Sequence, residues 1–291
     1  MNKVWARLQD INELIMFKHS VFALPFIFVA MIVYAKELSN TPWFGWNLLI
    51  LGLLAAVSAR NFAMGFNRYA DRDIDKENPR TQSRPSVDGR IGSTNMKLFI
   101  ALNAGIFIFV AYMINDLAFY LSIPILLILG GYSLFKRFSP YAHLVLGLSL
   151  GLAPIAGVVA VGEYIPLWAI LLSLGVLYWV AGFDLLYSLQ DMEFDRDRGL
   201  HSIPSKYGSI VTLRLSVYFH TLTILFWSLF VVEASLGIAA YCAIAFSILM
   251  LGYEHYLVRL DFTKIDRAFF TVNGYLGFVF FGCIILDKVL S

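Results

Sequence analysis

Nine apolar runs, at about 20 to 35, 47 to 67, 97 to 115, 117 to 135, 141 to 162, 166 to 188, 210 to 232, 236 to 257 and 268 to 286, restrict this chain more than any other feature. Each approaches the length at which a helix crosses about 30 Å of hydrocarbon, where an unpaired backbone amide finds no partner. The expectation is an all-α integral membrane protein with nine transmembrane helices. Composition agrees: 59% of the 291 residues are apolar, mean hydropathy is +0.72 and only 14% are charged, against roughly 25% in a soluble domain. The junctions at 115 to 117 and 233 to 235 are short enough to demand tight helical hairpins. No linker or low-complexity tract interrupts 1–291, which reads as a single transmembrane domain.

Lysine and arginine placement orients the spans. With the N-terminus in the cytoplasm, one side holds Lys3, Arg7 and Lys18, the seven cations from Arg68 to Lys97, the pair Lys136 and Arg137, the group Arg196, Arg198, Lys206 and Arg214, and the last group Arg259, Lys264 and Arg267. The other side receives Lys36 and Lys288. An odd number of spans is what keeps this pattern in phase. The first apolar run follows an amphipathic charged segment and lacks a small-residue cleavage site, so it is expected to remain as a span. Cys242 and Cys283 fall inside spans and read as packing residues, and the net charge of +2 excludes little. The one-sided cations point to an anionic ligand or leaflet on the cytoplasmic face.

Against this apolar background stand two polar ladders, Asn67-x3-Asp71-x3-Asp75 and Asp184-x2-Tyr187-x3-Asp191-x3-Asp195. At about 100° per helical residue each set falls within an arc of roughly 80° and faces one way. Asp73 and Glu193 point elsewhere by the same geometry and read as solvated charges. Asn67, Asp71 and Asp75 align with Tyr187, Asp191 and Asp195 at a constant offset of 120 residues, each set ending a span four helices from its counterpart. That pattern reads as a direct repeat, which would set two acidic rows opposite one another at one cavity mouth. Carboxylates about 6 Å apart repel by roughly 3 kcal/mol at an effective dielectric near 20, so facing rows call for cations. One such spacing alone is common at solvated helix ends. Two suit Mg2+, which takes one or two carboxylates and completes its shell with phosphate oxygens and water.

Basic side chains share this mouth: Arg80 and Arg84 after the first ladder, Lys136 and Arg137 at the end of span 4, and Lys206 after the second ladder. A metal-bridged polyphosphate suits acidic rows beside such cations, although topology alone explains many of them. Arg60 lies seven residues before Asn67, on the same side of the helix and about 10 Å deeper. A guanidinium at that depth needs a partner. It could pair with Asp184 or another buried carboxylate, or it could grip an organic carboxylate in a forked arrangement.

Taken together, NRYADRDID with the following NPRTQSRP, the later DLLYSLQDMEFD, and LFKRFSP between them closely resemble the UbiA-type superfamily of intramembrane aromatic prenyltransferases. The resemblance covers most of the chain. It implies nine helices around a central cavity and Mg2+-dependent transfer of a polyprenyl group from its diphosphate to an aromatic acceptor. It also implies that Asn67, Asp71, Asp75, Asp191 and Asp195 bind the metal and diphosphate. Arg60 occupies the position for the carboxylate of an acceptor such as 4-hydroxybenzoate, and Arg80, Arg84 and Lys136 match basic positions on the diphosphate side. Asp184 or Asp191 would receive a proton or polarise the phenol. Tyr187 would hydrogen-bond the diphosphate or pack at the interface.

The expected partners are therefore polyprenyl diphosphate, an aromatic carboxylic acid and membrane lipid, with no nucleic acid. The expected setting is respiratory quinone synthesis at the cell inner membrane, with the site open to the cytoplasm. The opening FKHSVFALPF departs from the stretch associated with ubiquinone-pathway members, which keeps a dihydroxynaphthoate on a menaquinone route as the alternative acceptor. A rival of another class is an ion or organic-anion transporter built on Arg60 and Asp184. The rows cluster at one face and the repeat is direct, unlike the midplane sites and inverted repeats of many transporters. His201, after the second ladder, could contact phosphate when protonated or simply be solvated; His19, His143, His220 and His255 show no mutual ligand spacing, and Glu254 is expected to reach interfacial water or a nearby cation.

Overall fold

The computed structural model describes residues 3–15, 24–261 and 264–290, and all regular structure among them is helical. In chain order the helices are α1 (Lys3–Ile15), α2 (Leu24–Ser39), α3 (Trp46–Ala70), α4 (Arg72–Glu77), α5 (Ser93–Ile114) and α6 (Asp116–Gly131), which runs into a 3-10 turn over Tyr132–Arg137. Then follow α7 (Ala142–Val161), α8 (Leu167–Ser188), a 3-10 turn over Leu189–Asp191, α9 (Met192–Asp197), α10 (Ile203–Glu233), α11 (Ile238–Leu260), α12 (Ile265–Arg267), a π-helical turn over Ala268–Val272 and α13 (Asn273–Leu290). Eight of these helical segments are long and apolar enough to cross a membrane, so the chain is a multi-pass membrane protein. The first expected span is represented by α2, with 16 residues. Residues 16–23, including Lys18, His19 and the start of that span, lie outside the described residues, as do the side chains of Lys3, Arg7 and Arg267.

Local chemistry explains where helices start and bend. Asn115 makes the α5–α6 hairpin possible: it is extended, and its side chain accepts a hydrogen bond from the Ala118 amide at 2.7 Å, capping α6. The α10–α11 turn uses Ser235 at φ 48°. Ser202 and Ser205 form a reciprocal capping box at the start of α10, with Pro204 in its first turn. Gly208, at φ 80°, then kinks α10 in a conformation that a side chain would strain.

Two compact units emerge, Met1–Ser20 with Ile50–Leu134 and Val21–Leu49 with Phe135–Ser291. In the first, Phe62, Phe107 and Leu126 form the core shared by α3, α5 and α6. Its α1 docks through Leu14 onto Ile91 and Met96. Arg90 fastens the polar side of that contact by donating to Asp10 and Glu13, while also bonding Asp88. These bonds, Glu13 and Asp88 foremost, hold the Arg90 proton more tightly than usual.

In the second unit α8 is the most buried helix and packs chiefly against α10 and α7. Its Trp179 belongs to an aromatic core with Phe26, Trp227 and Phe280. The α7–α8 approach depends on glycine, because a Cβ on Gly147 would strike the Leu177 carbonyl and one on Gly151 would come 2.9 Å from the Ser173 carbonyl. Small residues four apart let helices touch backbone to backbone in lipid. Gly147→Val is therefore expected to destabilise by at least the ~1–3 kcal/mol typical of overpacking, read as a lower melting temperature and loss of monodisperse protein in detergent. Gly252→Ala, where a Cβ meets nothing within 4 Å, should match the wild type.

Candidate active site

Each ladder is broken, the first at Asp71 and the second over Leu189–Asp191. The sequence reading placed Asn67, Asp71 and Asp75 on one helix, but α3 stops at Ala70 and α4 starts at Arg72. Asp71 sits between them at φ −95°, ψ 4°. The i to i+4 bonding survives the break, with the Asp71 amide on the Asn67 carbonyl at 2.9 Å and the Asp75 amide on the Asp71 carbonyl at 2.8 Å. At the second ladder α8 stops at Ser188, the 3-10 turn intervenes, and Asp191 precedes α9 at φ −102°, ψ 4°. Both aspartates occupy the sparsely populated bridge region, where active-site residues are frequent. Each also holds an N-cap position without a side-chain cap bond.

The 120-residue offset is thus realised in backbone: α4 and α9 are six-residue helices that begin at Arg72 and Met192, each preceded by an aspartate in nearly the same conformation. The tighter 3-10 turn shifts the angular register of the second ladder, so a single ideal helix does not carry Asp184 through Asp195.

In the first row, Asp71 and Asp75 are each only 3% exposed. Asn67 Nδ2 donates to Asp71 Oδ2 at 3.0 Å and lies 3.3 Å from the Ser133 hydroxyl. Both Asp75 oxygens accept from Arg84 Nη1 at 2.7 Å. The sequence placed Arg84 on the diphosphate, whereas here it grips the carboxylate of its own row. The loop is braced for this contact by Thr81, whose hydroxyl donates to the Asp75 carbonyl, and by Arg72, whose Nε donates to the Ser86 carbonyl. Arg80 is exposed. Asp73 is exposed as well, in keeping with the helical geometry, and Asp73→Asn should leave turnover within about twofold, as surface changes usually do. A large loss of turnover in that variant would mean that the break at Asp71 rotates the row away from the face inferred for it.

Arg68 was legible only as one of the one-sided cations, yet it is 5% exposed and lies within electrostatic range of Arg84, Asp75, Tyr132 and Asp71. Tyr132, also unremarked in the sequence, hydrogen-bonds Ser133 and lies near Arg60, Asp71 and Arg68. Arg60 Nε is shielded from solvent and has no hydrogen-bond partner, and among the described residues Arg60 has no ion pair. Asp184, which the sequence left open as a partner for Arg60, has its Oδ2 2.7 Å from His143 Nδ1.

In the second row Asp191 and Asp195 are partly exposed and Glu193 fully so. Asp195 hydrogen-bonds Ser202 and lies within electrostatic range of Asp191, Lys136 and His143. The His201 amide donates to the Lys136 carbonyl at 2.7 Å, tying the two loops together. Tyr187 packs against Phe269 of the π-helical turn, with ring centroids 4.4 Å apart and the planes tilted by 38°. Lys206 is exposed, with its ammonium 5.3 Å above the Tyr207 ring.

The expectations for Glu254 and Cys242 change. Glu254 reaches neither water nor a cation: it is 1% exposed and accepts from Asn273 at 2.8 Å, while Asn273 accepts from Trp179. His220 and His255, which share no ligand spacing, meet nitrogen to nitrogen at 2.9 Å. Cys242, read as a packing residue, is exposed on α11.

Among the described residues no three His, Cys, Asp or Glu side chains close into a cation cage. The oxygen donors of Asn67 and of the buried Asp71 and Asp75 nonetheless fit a hard divalent cation that draws its other ligands from phosphate and water. Asp191 and Asp195 offer the same chemistry.

The UbiA prenyltransferase family model matches residues 23–282. The 4-hydroxybenzoate octaprenyltransferase of Herminiimonas arsenicoxydans is 30% identical over 253 residues, covering 84% of this chain and 86% of that protein. The 4-hydroxybenzoate octaprenyltransferase of Janthinobacterium sp. is 30% identical with the same coverage. Among solved structures, the apo UbiA homolog from Aeropyrum pernix K1 superposes with a TM-score of 0.82 at 31% identity, covering 92% of this chain and 98% of that one. The UbiA homolog from Archaeoglobus fulgidus bound to GPP and Mg2+ shares the fold, with a TM-score of 0.76 at 19% identity over 96% and 99% of the two chains. A match over nearly the whole chain, on a membrane fold, means that the chain belongs to the UbiA prenyltransferase family and is a prenyl-transferring enzyme.

Proposed function

We propose that this enzyme transfers a polyprenyl group from its diphosphate to a ring carbon of a hydroxylated aromatic acid, with 4-hydroxybenzoate as the acceptor, in respiratory quinone synthesis. The acceptor assignment is carried by Arg60, whose buried Nε has no partner and whose guanidinium has no carboxylate among the described residues. An acid would supply both charge and forked acceptors. Relatives named for 4-hydroxybenzoate support the same choice.

In this reading Asn67, Asp71, Asp75, Asp191 and Asp195 hold Mg2+ and, through it, the diphosphate; GPP and Mg2+ bound to the Archaeoglobus homolog support the metal. Bound Mg2+ would neutralise phosphate oxygens and so ease departure of the diphosphate. Arg84 exchanges Asp75 for a phosphate oxygen when the donor arrives, releasing that carboxylate. Arg68, Arg80 and Lys136 add positive charge, and Arg60 orients the acceptor so that the carbon beside its hydroxyl meets prenyl C1. The nine-span count, with α2 as the first span, the cytoplasmic N-terminus and the rows opening to the cytoplasm all rest on the one-sided cations.

Purified protein with Mg2+ and geranyl diphosphate, offered 4-hydroxybenzoate and two dihydroxynaphthoates in competition, should give prenylated 4-hydroxybenzoate as the main product by mass. Prenylated dihydroxynaphthoate as the main product would move the enzyme to the menaquinone route. No prenylated acid of any kind would remove the proposed acceptor class.

A further inference from the structure

We infer that His143 is a positioning residue for Asp184, and that Asp184 is the group that takes the hydroxyl proton of the aromatic acceptor. The inference rests on the functional reading above and goes beyond it by naming the proton acceptor and the residue that aims it.

The observations are local to α7 and α8. His143, in the first turn of α7, is 4% exposed and has one polar partner, Asp184 Oδ2, at 2.7 Å. Its other ring nitrogen, Nε2, is buried with no hydrogen bond. A leucine or phenylalanine could fill the same space without leaving a polar atom stranded, which costs about 1–3 kcal/mol. Packing alone therefore does not account for an imidazole at this position. Its geometry does have a use in holding one carboxylate rotamer. An ionised carboxylate only accepts, so Nδ1 is then the donor, and the bond fixes the direction of Asp184.

Asp184 differs from its partner in exposure. Its side chain is 20% exposed against 5% for His143, so in this pair the carboxylate is the member within reach of a substrate and the imidazole stands behind it. Asp184 lies seven residues before Asp191 on the approach to the second row, and neither Asp184 nor His143 belongs to the proposed metal ligands. The arrangement is an acid–base pair with an orienting third party, in the order hydroxyl, carboxylate, imidazole.

The step balances as follows. The acceptor O–H bond breaks, the proton passes to an Asp184 oxygen, and the O–H electron pair moves into the ring. The ring carbon beside that oxygen forms its bond to prenyl C1, the C1–O bond breaks, and its pair leaves with diphosphate. The resulting dienone loses its ring proton to water and takes the proton back from Asp184 on oxygen, which restores aromaticity. The net products are prenylated phenol, diphosphate and one proton.

His143→Leu removes the donor and keeps the bulk, while His143→Asn keeps an N–H close to the Nδ1 position. With 4-hydroxybenzoate and geranyl diphosphate, His143→Leu should lower kcat by about 100-fold, at the lower end of general acid–base effects, with both KM values within about threefold. His143→Asn should recover most of that loss. With 3-fluoro-4-hydroxybenzoate, whose hydroxyl ionises more readily, the deficit of His143→Leu should shrink by about tenfold, because less help is needed to remove the proton. The double variant His143→Leu/Asp184→Asn should be no slower than Asp184→Asn alone. Three results would each overturn the proposal while leaving the functional reading intact: a deficit equal on both phenols, additive losses in the double variant, or wild-type kcat in His143→Leu. A wild type that prenylates no hydroxylated acid would instead remove the functional reading and this proposal with it.

Discussion

Asp71→Asn and Asp191→Asn should each reduce Mg2+-dependent turnover by at least about 10²–10³-fold, the usual loss when a preorganised stabiliser of developing charge is removed. The two variants are equivalent tests because the two residues occupy equivalent backbone positions, φ −95° and −102° with ψ 4° in both, each before a six-residue helix. Neither carboxylate caps its helix, so the isosteric amide removes charge without removing a cap. Protein should still accumulate in the membrane and extract normally. Steady-state assay over a Mg2+ titration checks the prediction, and excess metal should not restore wild-type kcat if the missing ligand shapes the site. Near-normal turnover in either variant would contradict a shared metal role for the rows.

The second large effect is expected at Arg60. Arg60→Ala should raise the acceptor KM by about 100-fold, the loss of a charge-assisted forked pair, while the diphosphate KM stays within a few-fold. Two features make the split sharp. Arg60 has no ion pair to lose among the described residues, and its close neighbour is the Tyr132 phenol rather than a carboxylate of the row. Arg60→Lys should recover only part of the affinity, since an ammonium does not reproduce the planar fork. An unchanged acceptor KM would take Arg60 out of that role.

How much of this was legible in the sequence depends on the range of the signal. The spans were visible because apolar length is a local property. The acidic rows were visible because four-residue spacing puts side chains on one helical face even where the helix breaks, as the Asp71 and Asp75 amide bonds show. The offset of 120 residues carried through to the short helices α4 and α9. The breaks themselves were not legible: nothing in DRDID or DMEFD distinguishes an aspartate that interrupts a helix from one that continues it.

Pairings across long sequence separations were equally hidden. Arg84 on Asp75 depends on how the loop after α4 folds back, and His143 on Asp184 depends on the close approach of α7 and α8 permitted by Gly147 and Gly151. Arg68 looked like one more cytoplasmic cation because positive-inside topology and site chemistry draw on the same residue types. The structure buries it beside Tyr132 and the first row. Glu254 was misjudged because proximity to a span end does not reveal a buried amide such as Asn273 waiting on another helix.

The central claim, metal-dependent prenyl transfer to a hydroxylated aromatic acid, is tested most directly by following two quantities at once in proteoliposomes supplied with 4-hydroxybenzoate, geranyl diphosphate and Mg2+. Diphosphate release and prenylated acid should rise together in a one-to-one ratio, stop when a chelator removes the metal, and resume when Mg2+ is restored. Accumulation of the unmodified acid inside the vesicles with no diphosphate released would contradict the account and point to transport.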